Sequence, residues 1–110
     1  MSRRLLLLAT GGTIAGQASD PTRLNDYTAG AMAGDALLAA VPQLQNLATI
    51  SVEQVANVDS AELLFEHWRA LVARIRAVFA ADAELTGVVI THGTNTLEET
   101  AWLLQLLIDD

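Results

Sequence analysis

Leu5-Leu-Leu-Leu-Ala-Thr-Gly-Gly-Thr13-Ile-Ala-Gly16 is the stretch on which the rest of the chain turns. Residues 5–9 form a continuous apolar run that stops in a polar, glycine-rich turn. A strand covered on both faces has this pattern, as in parallel sheets flanked by helices. Gly11, Gly12 and Gly16 permit a tight or left-handed backbone and the close approach of a ligand. Thr13 is left at the exit of the strand. A near copy occurs late in the chain, at Val88-Val-Ile-Thr-His-Gly-Thr94-Asn-Thr96. Both segments read as an apolar strand followed by Thr-x-Gly-Thr, which suggests that the two loops meet. The first glycines are not spaced G-x-G-x-x-G and no lysine follows Gly16, so neither the dinucleotide nor the Walker A fingerprint is satisfied.

The chain has 110 residues, enough for one small domain or a piece of a larger one. An apolar fraction of 52% is high for so short a chain, because a small domain has much surface to cover with polar groups. The excess is expected to serve a C-terminal continuation or a partner subunit. A net charge of −7 argues against nucleic acid, which requires clustered Lys and Arg. Glu98, Glu99, Asp109 and Asp110 add solubility. With no cysteine, neither a disulfide framework nor a cysteine nucleophile is available. Met-Ser-Arg-Arg before four leucines resembles the start of a signal peptide, but the apolar run is short and passes directly into Thr-Gly-Gly, so a first core strand is expected. No run approaches the roughly 20 apolar residues of a membrane span. The expected setting is cytoplasmic, without membrane contact.

Residues 17–28 are polar, carry turn formers and lack periodicity, which reads as a surface loop of the kind that forms lids. The loop contains the only tyrosine, Tyr27. Residues 31–41 read as a short helix stopped by Pro42. A second strand is expected within 47–58, where Ile50, Val52, Val55 and Val58 are β-branched, ending at an Asp59-Ser60 turn or N-cap pair. Residues 61–80 read as an amphipathic helix with Leu64, Trp68, Leu71, Val72, Ile75, Val78 and Phe79 on one stripe. Trp68 and Phe79 are expected in the core and His67 on the surface. Residues 85–90 read as a third strand. Thr96-Leu-Glu-Glu99 reads as a capping box, opening a helix to Ile108 that is apolar nearly all round and expects burial on more than one side. Strand–helix alternation predicts an α/β fold: an open parallel sheet with flanking helices and right-handed crossovers.

Ligands of open parallel sheets bind at the carboxyl ends of the strands. Thr10–Thr13, Asp59–Ser60 and Thr91–Thr96 all follow predicted strands. They should share one edge, which then carries the hydroxyls of Thr13, Ser60 and Thr94, glycine N–H groups and His92. Hydroxyls beside glycine backbone suit covalent catalysis at an amide or ester, where a hydroxyl attacks and N–H groups hold the oxyanion. A threonine hydroxyl needs a base, and the candidates are Tyr27 and His92, since the chain contains no lysine. The structural alternative for each threonine is a turn or cap hydrogen bond, and for Thr96 the cap is preferred.

Ala9-Thr-Gly-Gly-Thr-Ile-Ala-Gly16 and Ile90-Thr-His-Gly-Thr-Asn-Thr-Leu-Glu-Glu-Thr-Ala101 resemble the two signature motifs of the bacterial-type L-asparaginase/glutaminase family. The motifs stand in the right order, about eighty residues apart. The resemblance covers nearly the whole chain but only about the first third of such an enzyme. It implies that residues 1–110 are the incomplete N-terminal portion of an asparaginase-like Rossmann-type domain, with the second domain absent from this chain. It implies Thr13 as the threonine that attacks the side-chain amide and Tyr27 as the lid tyrosine assisting it. It further implies Ser60, flanked by Asp59 and Ala61, as the holder of the substrate α-carboxylate. Thr94 matches the second catalytic threonine, with Gly12 and Gly93 lining the substrate site.

Three departures from the family pattern matter. Asn95 stands where the family usually has an aspartate, and so lacks the charge that helps hold the substrate ammonium in a Thr–Asp–Lys relay. Asp59-Ser60-Ala61 stands where high-affinity secreted members usually have Gly-Ser-Gln, and resembles the variant of cytosolic relatives. The relay lysine, the second domain and the partner-subunit residues of a homo-oligomer would lie beyond Asp110. The resemblance implies hydrolysis of asparagine, and of glutamine as a second substrate, through an acyl-threonine, with no metal or cofactor. Two other readings stand beside it: a catalytically inert fragment or binding-only remnant, and an amidotransferase-type relative that takes its amide from asparagine or glutamine.

Overall fold

A computed structural model describes residues 3–12, 17–18, 27–28, 34–58 and 60–108. Strand β1 (Arg4–Ala9) lies at the centre of a three-stranded parallel sheet, with β4 (Thr49–Gln54) on one side and β5 (Gly87–Thr91) on the other. The registers set Leu7 against both Val52 and Val89, and Leu8 against both Glu53 and Ile90. Side chains alternate between faces with period two. Leu6 and Leu8 therefore share one face and pack against Leu71 and Ile75 of helix α2 (Phe65–Ala81), with Val88, Ile90, Leu104 and Ile108 around them. Leu5 and Leu7 take the opposite face, where helix α1 (Gly34–Ala39) and a 3-10 turn (Pro42–Asn46) leave an apolar groove of about 390 Å³. This two-sided demand is why β1 has no polar alternation. Two short antiparallel strands, β2 (Gln17–Ala18) and β3 (Tyr27–Thr28), form a separate ribbon. The parallel sheet with flanking helices is the α/β architecture expected from the sequence.

The connections place the site. The chain leaving β1 returns as α1 on the Leu5–Leu7 face. Those leaving β4 and β5 become α2 and α3 (Leu97–Leu107) on the other face, where Leu104 joins the core around Leu71. Adjacent strands whose exits go to opposite faces open a crevice at their carboxyl ends. That crevice lies at Gly11–Gly12.

Several boundaries depart from expectation. The second helix does not start at residue 61. Ser60–Glu62 is a 3-10 turn, and α2 begins at Phe65 after Leu64 in extended conformation. His67, expected merely at the surface, is half-buried and accepts a hydrogen bond from the Leu64 N–H at its Nδ1, 2.8 Å away, so the cap comes from inside the helix. Phe79 is 43% exposed and not in the core, because a sheet of three strands is too narrow for the full apolar stripe of α2. Trp68 is half-buried. Helix α3 reaches the core along one side only, and its Trp102 is 65% exposed. Its last turn is closed by the Arg76 guanidinium, which donates to the Leu107 carbonyl at 2.6 Å, as a cation should at a helix C-terminus. Among the described residues no helix is long and apolar enough to cross a membrane.

Candidate active site

The carboxyl ends of the three strands are tied together by backbone and by one buried hydroxyl. The Thr10 N–H and Oγ1 both donate to the Thr91 carbonyl, at 3.1 and 2.7 Å. The Val58 N–H in turn donates to the Thr10 carbonyl at 3.1 Å. Thr10 is only 2% exposed, so its hydroxyl is a structural pin between β1 and β5. The sequence reading assigned it no role. The signal was available, since a threonine ending an all-apolar strand needs a buried partner.

Beyond Thr10 the backbone turns left-handed, with φ of 96° at Gly11 and 86° at Gly12. Glycine is required at both places for a second reason. A Cβ on Gly11 would stand 2.6 Å from the Val58 nitrogen, and one on Gly12 would collide with the Gly93 backbone. Gly93 itself is crowded by Ser60, whose Oγ would be 2.9 Å from a Cβ there. Gly12, Ser60 and Gly93 thus pack together at one point. The two Thr-x-Gly-Thr loops do meet, and they meet through their glycines.

Ser60 is joined to the second loop by a reciprocal pair of hydrogen bonds. Its Oγ accepts from the Thr96 N–H at 3.2 Å, and its carbonyl accepts from the Thr96 hydroxyl at 2.9 Å. The expected capping box at Thr96 is therefore not made. Thr96 is the N-cap residue of α3, but its side chain makes no cap bond, and its hydroxyl donates to the Ser60 carbonyl instead. Ser60 is 2% exposed and acts here as a strut. Its hydroxyl keeps a proton to donate, and a ligand that takes that proton has to displace what covers it.

Thr94 and Asn95 are exposed at the lip of this junction, as is Ala61. Glu98 and Glu99 occupy the first turn of α3, where carboxylates favour the positive end of the helix. His92 is buried. Its Nδ1 is hydrogen-bonded to the Gly93 carbonyl, and its Nε2 lies 2.8 Å from Thr100 Oγ1. Both ring nitrogens are engaged, so His92 offers no free nitrogen to act as a base. Tyr27 belongs to β3, opposite Ala18 of β2. Thr13 and Asp59 lie outside the described residues. Among the described residues no three His, Cys, Asp or Glu side chains group as metal ligands do.

This junction of glycine-rich loops can be set beside known proteins. The family described as "Asparaginase, N-terminal" matches residues 4–110. The chain belongs to that family. It is 42% identical over 102 residues to the L-asparaginase 2 of Bacillus subtilis, a match covering 93% of this chain and 27% of the relative. Against the L-asparaginase 2 of Escherichia coli it is 43% identical over 105 residues, covering 94% of this chain and 29% of the relative. A glutaminase-asparaginase of Pseudomonas aeruginosa is 43% identical over 103 residues, covering 94% and 28% respectively. The fold matches the crystal structure of a probable cytoplasmic L-asparaginase from Campylobacter jejuni with a TM-score of 0.85 and 48% identity, over 91% of this chain and 30% of that one. The chain spans less than a third of the length of each of these relatives.

Proposed function

We propose that this chain is the N-terminal part of an amidohydrolase that converts L-asparagine to L-aspartate and ammonia, with Thr13 as nucleophile. The observation that carries the reading is the packing of Gly12 against Gly93 in a chain of the asparaginase family. It brings the loop holding Thr13 to the loop holding Thr94 and Asn95.

In the first half-reaction the Thr13 hydroxyl attacks the side-chain amide carbon, and its proton passes to Tyr27 as the phenol gives up its own toward the leaving nitrogen. Backbone N–H groups of the glycine turn hold the oxyanion. The C–N bond then breaks, the leaving nitrogen gains a proton, and ammonia departs from a β-acyl-threonine ester. In the second half a water, activated at Thr94, attacks the ester carbon. The ester C–O bond breaks, aspartate is released and the Thr13 hydroxyl is regained. Ser60 donates its proton to the substrate α-carboxylate, with Asp59, Ala61, Gly12 and Gly93 shaping the pocket. The relay lysine, the second domain and the partner subunit of a homo-oligomer complete the site; none of them is among these 110 residues.

Glutamine is a second substrate on this reading, supported by relatives named glutaminase-asparaginase. A cytoplasmic setting is supported by the name of the Campylobacter jejuni protein, while a relative named as periplasmic points the other way. The test is ammonia release from asparagine by the longest protein encoded with this chain, with Thr13→Ala as the control. Activity that disappears in the control is expected, and activity that persists would remove Thr13 as nucleophile.

Asn95 favours a second reading, in which the site binds substrate but turns it over poorly. An amide has the size of the family's aspartate and none of its charge, so it offers the substrate ammonium no Coulomb attraction. On that reading asparagine binding is detectable by calorimetry where ammonia release is not.

A further inference from the structure

The buried polar groups behind the site form a relay that crosses three elements. Trp68 Nε1–H of α2 donates to Thr100 Oγ1 of α3 at 2.7 Å. Thr100 Oγ1 lies 2.8 Å from His92 Nε2, and His92 Nδ1 meets the Gly93 carbonyl. With a neutral imidazole, the two ends fix the direction of every proton. An indole nitrogen only donates and a carbonyl only accepts. His92 must therefore carry its proton on Nδ1, Nε2 must accept, and the Thr100 hydroxyl must donate to it. Thr100 is 3% exposed and His92 9%, so water competes little for these bonds.

We propose that His92 is a positioning residue for the Thr94–Asn95 loop, held in its Nδ1–H tautomer by Trp68 through Thr100. It acts through one peptide group. Because the 93–94 peptide is planar and trans, fixing the Gly93 carbonyl fixes the Thr94 N–H pointing the opposite way. The backbone of Gly12 and the hydroxyl of Ser60 are packed against Gly93. A rotation of this peptide would disturb all three loops together. The catalytic consequence rests on the function proposed above, whereas the positioning itself does not.

The test uses ¹⁵N-labelled full chain. In the wild type the His92 ring is expected to show a protonated Nδ1 and an unprotonated, hydrogen-bonded Nε2. Thr100→Val should shift the Nε2 and Trp68 indole resonances and raise Thr94 amide exchange about tenfold, the scale of one lost buried hydrogen bond. Thr100→Ser should restore all three signals. Trp68→Phe, which removes the indole N–H and keeps an aromatic ring, reads the same relay should the valine variant fail to fold. An Nε2–H tautomer in the wild type, or Thr94 exchange unchanged in Thr100→Val and Trp68→Phe, would overturn the proposal. In the hydrolysis assay, Thr100→Val should lower kcat about tenfold and leave KM within about twofold. An unchanged kcat would remove the catalytic consequence. Full activity in Thr13→Ala would overturn the functional reading while leaving the tautomer and exchange results to decide the relay.

Discussion

Ser60 and Thr96 hold each other twice, each residue supplying one backbone group and one hydroxyl to the pair. The arrangement joins the exit of β4 to the start of α3 without a charge. It predicts coupled losses. Ser60→Ala should cost about 1–2 kcal/mol, since it leaves the Thr96 N–H without its acceptor, and Thr96→Val about 1 kcal/mol. In urea denaturation the double variant should fall short of the sum by about 0.5 kcal/mol or more. Strict additivity would show that the two bonds form independently.

Gly12→Ala should be far more damaging than either. The new methyl meets backbone, which cannot rotate aside, and the residue sits at φ 86°. Left-handed backbone with a Cβ costs about 1–2 kcal/mol before the clash is counted, so a loss of about 3 kcal/mol or more is expected. Thermal unfolding followed by circular dichroism measures it. A change below about 1 kcal/mol would mean that the Gly12–Gly93 contact is loose.

The Arg74 guanidinium grips the Glu53 carboxylate with both Nε and Nη2, which holds the Glu53 carboxyl below the ordinary value of 4.5. The hydrogen bond is the main cause, and burial opposes it. A carboxyl whose folded value is lowered contributes stability above its unfolded value and loses it as pH falls through the folded one. The contribution should therefore be complete at neutral pH and fade below about pH 4.5. Both side chains are partly exposed, so the effect is small and weakens in high salt. Glu53→Gln should flatten the acid limb of a plot of denaturation midpoint against pH. An unchanged acid limb would show that the pair contributes nothing.

Asn95→Asp would restore a negative charge at the lip of the junction. If the proposed reaction operates, KM for asparagine should fall about tenfold, well within the attraction available to an ammonium at short range. Steady-state kinetics at low and high salt test this. A KM insensitive to the substitution would mean that the substrate ammonium is held elsewhere.

The central strand and the meeting of the two loops were legible because each depends on local composition. Leu5–Leu8 must be apolar on both faces, and Gly11, Gly12 and Gly93 leave no alternative residue. The start of α3 at Thr96 was legible, but the start of α2 and the missing side-chain cap at Thr96 were not. Ser60 and Thr96 are both good N-cap residues, and each would have capped its own helix had the other not been there. A contact between residues 36 apart in sequence overrode two local preferences at once. The exposure of Phe79 was hidden for a different reason. A periodic stripe tells how much apolar surface a helix carries, but the width of the sheet decides how much of it is covered. The His92 relay was invisible because its partners, Trp68 and Thr100, lie on different helices.

The position of β1 also sets a timetable. During synthesis β1 finds no neighbour in its sheet until residues 49–54 follow, and it is flanked on both sides only once residues 87–91 have been made. Until then Leu5–Leu8 is an unpaired apolar segment of a growing chain. Such segments fold slowly and invite association. Gly12 cannot meet Gly93 before that moment either, so the junction on which the chemistry depends is among the last features of this region to be assembled. A cell making this protein has to shelter β1 until that late strand arrives.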